Sequence, residues 1–395
     1  MSSDPIVIAS AARTPMGGFQ GALSDVTASE LGSAAIGAAV QQAGVANDDI
    51  QEVIMGCVLS AGQGQAPARQ AALGAGLSLD SSCTTLNKMC GSGMKAVMVA
   101  HDMLRADSAT VAIAGGLESM TNAPYLLPKV RGGLRMGHGE MKDHMFLDGL
   151  EDAYDKGRLM GVFAEETAKR YQFTREAQDA FAIESLTRAK RAIDDGSFDA
   201  EVTPVTVKTR RGETVVSQDE QPHKADTQKI PNLRPAFAKD GTVTAANASS
   251  ISDGAAALVM MRESEAERRG ITPLARILGH AGHAHEPEWF TTAPVHALEK
   301  LLKQLGKDAL DIDLYEINEA FAVVTMAAMT ELQLPHERVN VNGGACALGH
   351  PIGASGARIL VTLINALAQR NLTTGIGALC IGGGEAVAVA IERMS

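Results

Sequence analysis

Three short segments carry side chains that could run thiol chemistry. The first is Asn87-Lys-Met-Cys-Gly-Ser-Gly93, with Cys90 ahead of apolar residues at near-helical spacing (Met94, Val97, Met98, Leu104). This places Cys90 at an expected helix N-terminus, where free N–H groups and about +0.5 charge favour a thiolate and lower its pKa. The flanking glycines allow a sharp turn that brings those N–H groups near a substrate oxygen. The second segment, Gly349-His-Pro-Ile-Gly-Ala-Ser-Gly356, sets His350 just before a proline-initiated, glycine-rich helix start. In the third, Cys380 closes an apolar strand ahead of Gly382-Gly-Gly384. A lone free cysteine is usually a small core residue. An activated cysteine, a histidine at a helix mouth and a second cysteine at a glycine turn make more than that: a nucleophile–base–acid set. Asn318-Glu-Ala-Phe321 adds a polar pair to an otherwise apolar run. A buried Asn is more often a satisfied structural amide, but here it could hold a water or orient a histidine.

The elements that must position these groups form two similar halves. Residues 1–120 alternate β-like runs (Val53–Cys57, Thr110–Ala114) with Ala-rich helical patterns, and the same alternation returns after Pro273. Cys90-Gly-Ser-Gly-Met-Lys-Ala96 is echoed by Gly353-Ala-Ser-Gly-Ala-Arg-Ile359, with the Ser-Gly pairs in register. Each echo opens a helix that leads to a glycine-ended strand. A duplicated β-α-β unit follows, with two sheets related by pseudo-twofold symmetry. Between the halves, Pro124 to Gly139 reads as an extended, basic loop. A charged helix over 174–195 comes next, then a hairpin over 203–216 turning at Arg210-Arg211-Gly212. The expected division is 1–120 plus 251–272 as the first half, 121–250 as an inserted loop domain, and 273–395 as the second half.

The chain has 395 residues, 45% apolar and 21% charged, which excludes a disordered or collagen-like protein. Its net charge of −11, without a Lys/Arg-rich tract, speaks against nucleic acid as a partner and against polybasic membrane attachment. No apolar run is long enough to span a bilayer. Five widely separated cysteines and no recognisable leader suit a reducing compartment, so a cytoplasmic location is expected. Rings are scarce while glycines number 40, so helices must approach closely.

These segments, with Arg13-Thr-Pro15, Gly115-Gly-Leu-Glu-Ser-Met120, Asn247-Ala-Ser249 and Ser252-Asp-Gly-Ala-Ala256, resemble the thiolases across nearly the whole chain. The resemblance implies an α/β fold with two duplicated halves in five α-β-α-β-α layers, and commonly a tetramer built through the loop after Thr121. It implies coenzyme A substrates and no cofactor or metal. In the matching roles Cys90 accepts the acyl group, His350 activates it, and Cys380 is the acid/base at the substrate α-carbon. Asn318, through a water, and His350 would form one oxyanion hole; the N–H groups of Cys90 and Gly382 would form the other. Ser249 would touch the pantetheine arm. Met160, Phe290 and Phe321 would border the substrate.

Several positions depart from the family pattern. Leu159 stands where short-chain members often carry a histidine, and Phe290-Thr-Thr-Ala-Pro294 replaces a glycine-containing segment. His223-Lys224 stands where an arginine commonly approaches the nucleotide; with Arg210, Arg211 and Arg234 it would make a basic edge for the 3′-phosphoadenosine. Cys346 is expected to pack. His280-x-x-His283-x-His285 looks like a metal cluster but is expected to be a pocket-edge loop. The leading function is reversible condensation of two acetyl-CoA to acetoacetyl-CoA. A broader-range 3-ketoacyl-CoA thiolase is the alternative, and a non-catalytic CoA- or lipid-binding protein comes third.

Overall fold

The computed structural model describes residues 4–210 and 212–394, so Arg211 lies outside the described residues. The first half runs β1 (Ile6–Arg13), α1 (Ala28–Ala43), β2 (Glu52–Gly56), α2 (Pro67–Gly74), β3 (Ser82–Leu86), α3 (Ser92–Arg105) and β4 (Val111–Ser119). The inserted segment holds α4 (Met160–Tyr171), α5 (Arg175–Asp194), the hairpin β5 (Val205–Thr209) and β6 (Gly212–Val216), and the single turn α6 (Gln221–Lys224). β7 (Ser252–Arg262) then returns to the first half. The second half runs β8 (Ala275–Ala284), α7 (Ala293–Leu305), β9 (Leu314–Ile317), α8 (Ala322–Glu331), α9 (Ser355–Gln369), β10 (Thr374–Ile381) and β11 (Glu385–Arg393).

The duplication is visible strand by strand. In the first half the order is β3-β2-β4-β7-β1, with β2 parallel to both neighbours and β7 antiparallel to both of its own. In the second it is β9-β10-β11-β8, with the same senses, and a lone parallel bridge from Tyr315 to Val339 stands in for β3. The two half-sheets are not separate: β1 and β8 pair antiparallel at Val7–Arg276 and Ile8–Ala275, joining these nine strands, with the two-residue strand Gly17–Gly18 on β7, into one ten-stranded sheet.

Residue parity sorts the layers. Ile6, Ile8 and Ile54 face the middle, where they meet Met94 and Val97 of α3, Ile359 and Leu363 of α9, and Leu379 and Val389 from the other half-sheet. Val7, Ala9, Val53 and Met55 face the opposite way, onto α1 and α2. Ile376, Ala378 and Ala388 point outward onto α7 and α8. The layers are therefore α1/α2, half-sheet, α3/α9, half-sheet, α7/α8. Strands covered on both faces explain the continuous apolar runs of the sequence.

At the centre α3 and α9 cross at their first turns. A Cβ on Gly93 would stand 2.8 Å from the Ala357 nitrogen, and one on Gly356 would stand 2.3 Å from the Met94 nitrogen. Only glycine permits that approach. Ser92-Gly93 and Ser355-Gly356 are the first two residues of their helices, as the repeat register requires. In the insertion, Thr174 caps α5 by accepting from the Ala177 N–H. The helix α4 lies between the expected loop and the expected helix, where no element is expected from the sequence, and its buried Gly161, Ala164 and Ala168 recur at helical spacing.

Arg13 ties β1 to the insertion. Its Nε reaches Glu201 at 2.6 Å and its Nη1 and Nη2 reach Asp219 at 2.7 and 2.9 Å, all without solvent access to the guanidinium. Removing one partner of such a network strands the remaining charges in low dielectric, at a cost of about 3–5 kcal/mol. Arg13→Ala should therefore lower the thermal midpoint markedly, with Arg13→Lys falling between. A midpoint equal to the parent's in a melting scan would show the network to be energetically idle.

Candidate active site

Cys90 sits in the tight loop ahead of α3, where Met89 takes a left-handed φ of 48°. Ser92 Oγ accepts from the Lys88 N–H at 2.8 Å and donates to the Met89 carbonyl at 2.6 Å, which fixes the loop. Lys88 also forms an ion pair with Glu385 at the start of β11, clamping this loop to the glycine turn after Cys380. The half-buried Cys90 thiol accepts from the N–H of Gly382 and from its own. The helix-terminus argument predicts a lowered pKa, but those donors do not bring it below the free value. Burial outweighs them and pushes the thiol up to about 11.

Cys380 is the next-to-last residue of β10 and is fully buried. Burial, and then the nearby Cys90, push its thiol well above the ordinary range, so the two sulfurs sense one another. The turn beyond it needs its glycines. Gly383 and Gly384 have φ of +97° and +87°, and a Cβ on Gly384 would lie 2.4 Å from the His285 carbonyl.

His350 lies in the loop before α9, its N–H 3.1 Å from the Ser250 carbonyl. Ile352, two residues on, packs in the same apolar cluster as Cys90. Ser355 Oγ donates to the Pro351 carbonyl at 3.0 Å and stands 2.6 Å from His350 Nδ1. With that proton on the Pro351 carbonyl, Ser355 accepts from Nδ1–H and Nε2 keeps its lone pair. That Nε2 is buried and has no partner. Burial first, and the Arg358 charge second, lower the imidazole to about 3. It is neutral at rest.

Asn318 follows β9, its N–H held by the Ala378 carbonyl at 2.9 Å. Both Nδ2 and Oδ1 are buried and unpartnered. This is not the satisfied structural amide that most buried asparagines are. Its neighbour Glu319 does the anchoring, accepting from Ser185 Oγ (2.7 Å), Asn340 Nδ2 (2.8 Å) and the Cys346 N–H (3.0 Å). Glu118 plays a similar part for the histidine loop. It is fully buried, accepts from the N–H groups of Val58, Leu59 and Gly353, and is pushed up to about 7 by burial. Sequence reasoning assigned no role to Ser355 or Glu118. The signals were present: a serine five residues after the histidine, and a carboxylate closing an apolar strand.

Phe290 and Phe321 join Cys380 in one apolar cluster against which Met160 packs. The Met160 sulfur lies 3.6 Å from where a Gly382 side chain would begin, so it borders the glycine turn itself. Ser249 is half-buried beside Phe321, its N–H donating to the Ala320 carbonyl at 3.0 Å. A cavity of about 280 Å³ opens nearby, lined by Ala182, Leu186, Gln221, Lys229, Ser250 and Cys346. Cys346, expected only to pack, borders it. His223 and Lys224 do not: His223 faces Asp194 at 3.6 Å and Lys224 is paired with Glu220. Lys229 also lines this cavity, 3.6 Å from Asp226, another of its lining residues. Arg210 and Arg234 are exposed.

Comparison with known proteins gives the family. The thiolase N-terminal domain model matches residues 6–264 and the thiolase C-terminal domain model matches residues 271–393. The chain is 50% identical to acetyl-CoA acetyltransferase 2 of Arabidopsis thaliana, covering 98% of this chain and 97% of that one. It is 49% identical to the acetyl-CoA acetyltransferase of Rhizobium meliloti over the whole of both. Among solved structures, a thiolase from Ascaris suum in complex with coenzyme A superposes with a TM-score of 0.93 at 42% identity, covering 98% and 100% of the two chains. The Bacillus anthracis acetyl-CoA acetyltransferase gives 0.96 at 43% identity, covering 99% of each. Two family models that together take in almost every residue, and relatives at half identity end to end, leave one conclusion: the chain belongs to the thiolase family.

Proposed function

We propose that this chain is an acetyl-CoA acetyltransferase, forming or splitting acetoacetyl-CoA through an acyl-Cys90 intermediate. One observation carries the reading. His350 Nε2 and both polar atoms of Asn318 are buried without partners; the histidine loop shares an apolar cluster with Cys90, Asn318 is held by β10 two residues before Cys380, and the two thiols sense one another. Leaving such groups unpaired costs about 1–3 kcal/mol each, so they are kept for something the substrate supplies. The names of the relatives point the same way.

The protons balance among these residues alone. Cys90 passes its proton to His350 Nε2 and attacks the acetyl carbonyl; Cys380 gives its own proton to the departing CoA sulfur. The enzyme then holds acyl-Cys90, a Cys380 thiolate and a His350 imidazolium. In the second half, the Cys380 thiolate takes a methyl proton from another acetyl-CoA. The resulting enolate oxygen is held by His350 Nε2–H and by a water on Asn318. The carbanion attacks acyl-Cys90, whose tetrahedral oxygen meets the N–H groups of Cys90 and Gly382. Cys90 leaves as a thiolate and recovers a proton from His350. Every group ends as it began, and no step calls on a metal or redox partner.

Further parts of the reading concern binding and assembly. Ser249 would meet the pantetheine arm, and the cavity that Ser250 and Lys229 line would take the nucleotide end; His223, Lys224 and Lys229 each face a carboxylate already. Tyr125, Leu127, Met136 and Met141 are exposed apolar residues on the inserted loop, Met136 at 97%. A surface of that kind favours burial between copies, supporting a homotetramer. Five unpaired cysteines support a cytoplasmic site of action.

Two measurements test the reading. Cys380→Ser should still form acetyl-Cys90 from radiolabelled acetyl-CoA, yet lose condensation by about 10²–10⁴-fold, because a hydroxyl is a far weaker acid than a thiol. Cys90→Ser should fail at acylation itself. Wild-type solvent deuterium exchange into the acetyl methyl by the Cys380 variant would hand the base role elsewhere. Thiolysis rates should also fall steeply beyond four to six carbons, since Met160 and Phe290 narrow the cleft; equal rates on a sixteen-carbon 3-ketoacyl-CoA would favour the broad-range alternative.

A further inference from the structure

Behind the glycine turn that follows Cys380 the fold gathers three imidazoles. His283 near the end of β8 and His285 just past it are two residues apart in extended chain, and α7 brings His296 against them. Ring centroids are 5.0 Å apart for His283–His285, 4.8 Å for His283–His296 and 5.7 Å for His285–His296. One nitrogen from each ring lies within 4.8 Å of the other two. His280 belongs elsewhere, 3.0 Å from Asp102. The trio written in the sequence is thus split, and its third member comes from a helix instead.

The outer partners of these rings fix where the lone pairs are. His285 Nε2 stands 2.8 Å from the Trp289 carbonyl, which can only accept, so Nδ1 of that ring keeps its lone pair. His296 Nδ1 stands 3.0 Å from the Glu299 carboxylate, which leaves Nε2 basic. His283 Nε2 is buried with no hydrogen-bond partner. A carbonyl behind one imidazole and a carboxylate behind another is the support that orients metal-bound histidines. The second cluster, His101–Asp102–His280, lacks this feature: Asp102 already occupies both rings at 3.0 Å.

We propose that His283, His285 and His296 form a binding site for a divalent cation of the Zn²⁺ class, with the fourth position open to solvent. Three neutral nitrogen donors suit Zn²⁺, Co²⁺, Ni²⁺ or Cu²⁺ and not the oxygen-seeking Mg²⁺ or Ca²⁺. Tetrahedral Zn–N bonds of about 2.0–2.1 Å set the nitrogens about 3.3 Å apart. His296 is exposed on the first turn of α7, so rotation of its side chain supplies the contraction. The site adjoins the glycine turn, since the His285 N–H donates to the Gly384 carbonyl at 2.8 Å. A bound cation would fasten β8 and α7 together at the base of that turn.

Cobalt titration of the purified enzyme tests this directly, because Co²⁺ reports its ligands in its visible and near-ultraviolet spectrum. One equivalent per chain should bind, with ligand-field bands and no thiolate-to-metal charge transfer. His296→Gln should weaken binding by at least the ten- to hundredfold that loss of an outer partner alone costs. His280→Gln should bind as the parent does. A metal-free melt of the exposed His296 variant equal to the parent's shows that its fold is intact. Absence of binding, a thiolate band placing the ion on Cys90 or Cys380, or equal affinity in the His296 variant would each overturn the proposal.

Discussion

The close crossing of α3 and α9 sets the positions of everything reactive in this protein. Gly93 and Gly356 bring the two backbones into contact, and Gly116 lets the end of β4 pass so near the histidine loop that a Cβ there would stand 2.0 Å from the Gly353 carbonyl. Each helix is preceded by a loop carrying one reactive group, Cys90 before α3 and His350 before α9. The duplicated unit therefore delivers two different chemistries to one point. A methyl group added at the crossing would separate them, which is why the packing of the middle layer and the chemistry are one constraint.

Burial then decides the charge state. A helix N-terminus offers a Cys90 thiolate about half a charge, and two N–H groups help. Desolvation is larger, so Cys90 and Cys380 are raised and His350 is lowered. The empty site consequently holds no charge on its three reacting groups. In the proposed reaction charge separates only when an acyl group gives the Cys90 sulfur somewhere to go, and the protonated His350 and the water on Asn318 would meet the negative charge that develops. Glu319 and Glu118, each fully hydrogen-bonded, bear the cost of holding those loops rigid.

Much of this was legible in the residues. Local signals carried Cys90, His350, Cys380 and the two Ser-Gly helix starts, because turns, glycines and apolar runs act over a few residues. Long-range events were not legible. Nothing in the neighbourhood of Thr292–Leu305 says that His296 meets His283 and His285, and nothing near residue 223 says that Asp194 meets His223; the Glu220–Lys224 pair, by contrast, is a local spacing of four residues. The edge pairing of β1 with β8 likewise depends on residues far apart in sequence. The direction of the Cys90 shift failed for a different reason: a helix terminus is visible in a sequence, but the depth at which it lies is not.

The pH dependence of Cys90 alkylation by iodoacetamide, in enzyme free of substrate, addresses the claim of an uncharged resting site most directly. Only the thiolate reacts, so a thiol at about 11 predicts a rate that rises close to tenfold per pH unit from pH 7 to pH 10, without a plateau. Mapping by mass spectrometry assigns the label to Cys90. A rate that levels off near pH 7 would reveal a standing thiolate–imidazolium pair between Cys90 and His350, and would contradict the account.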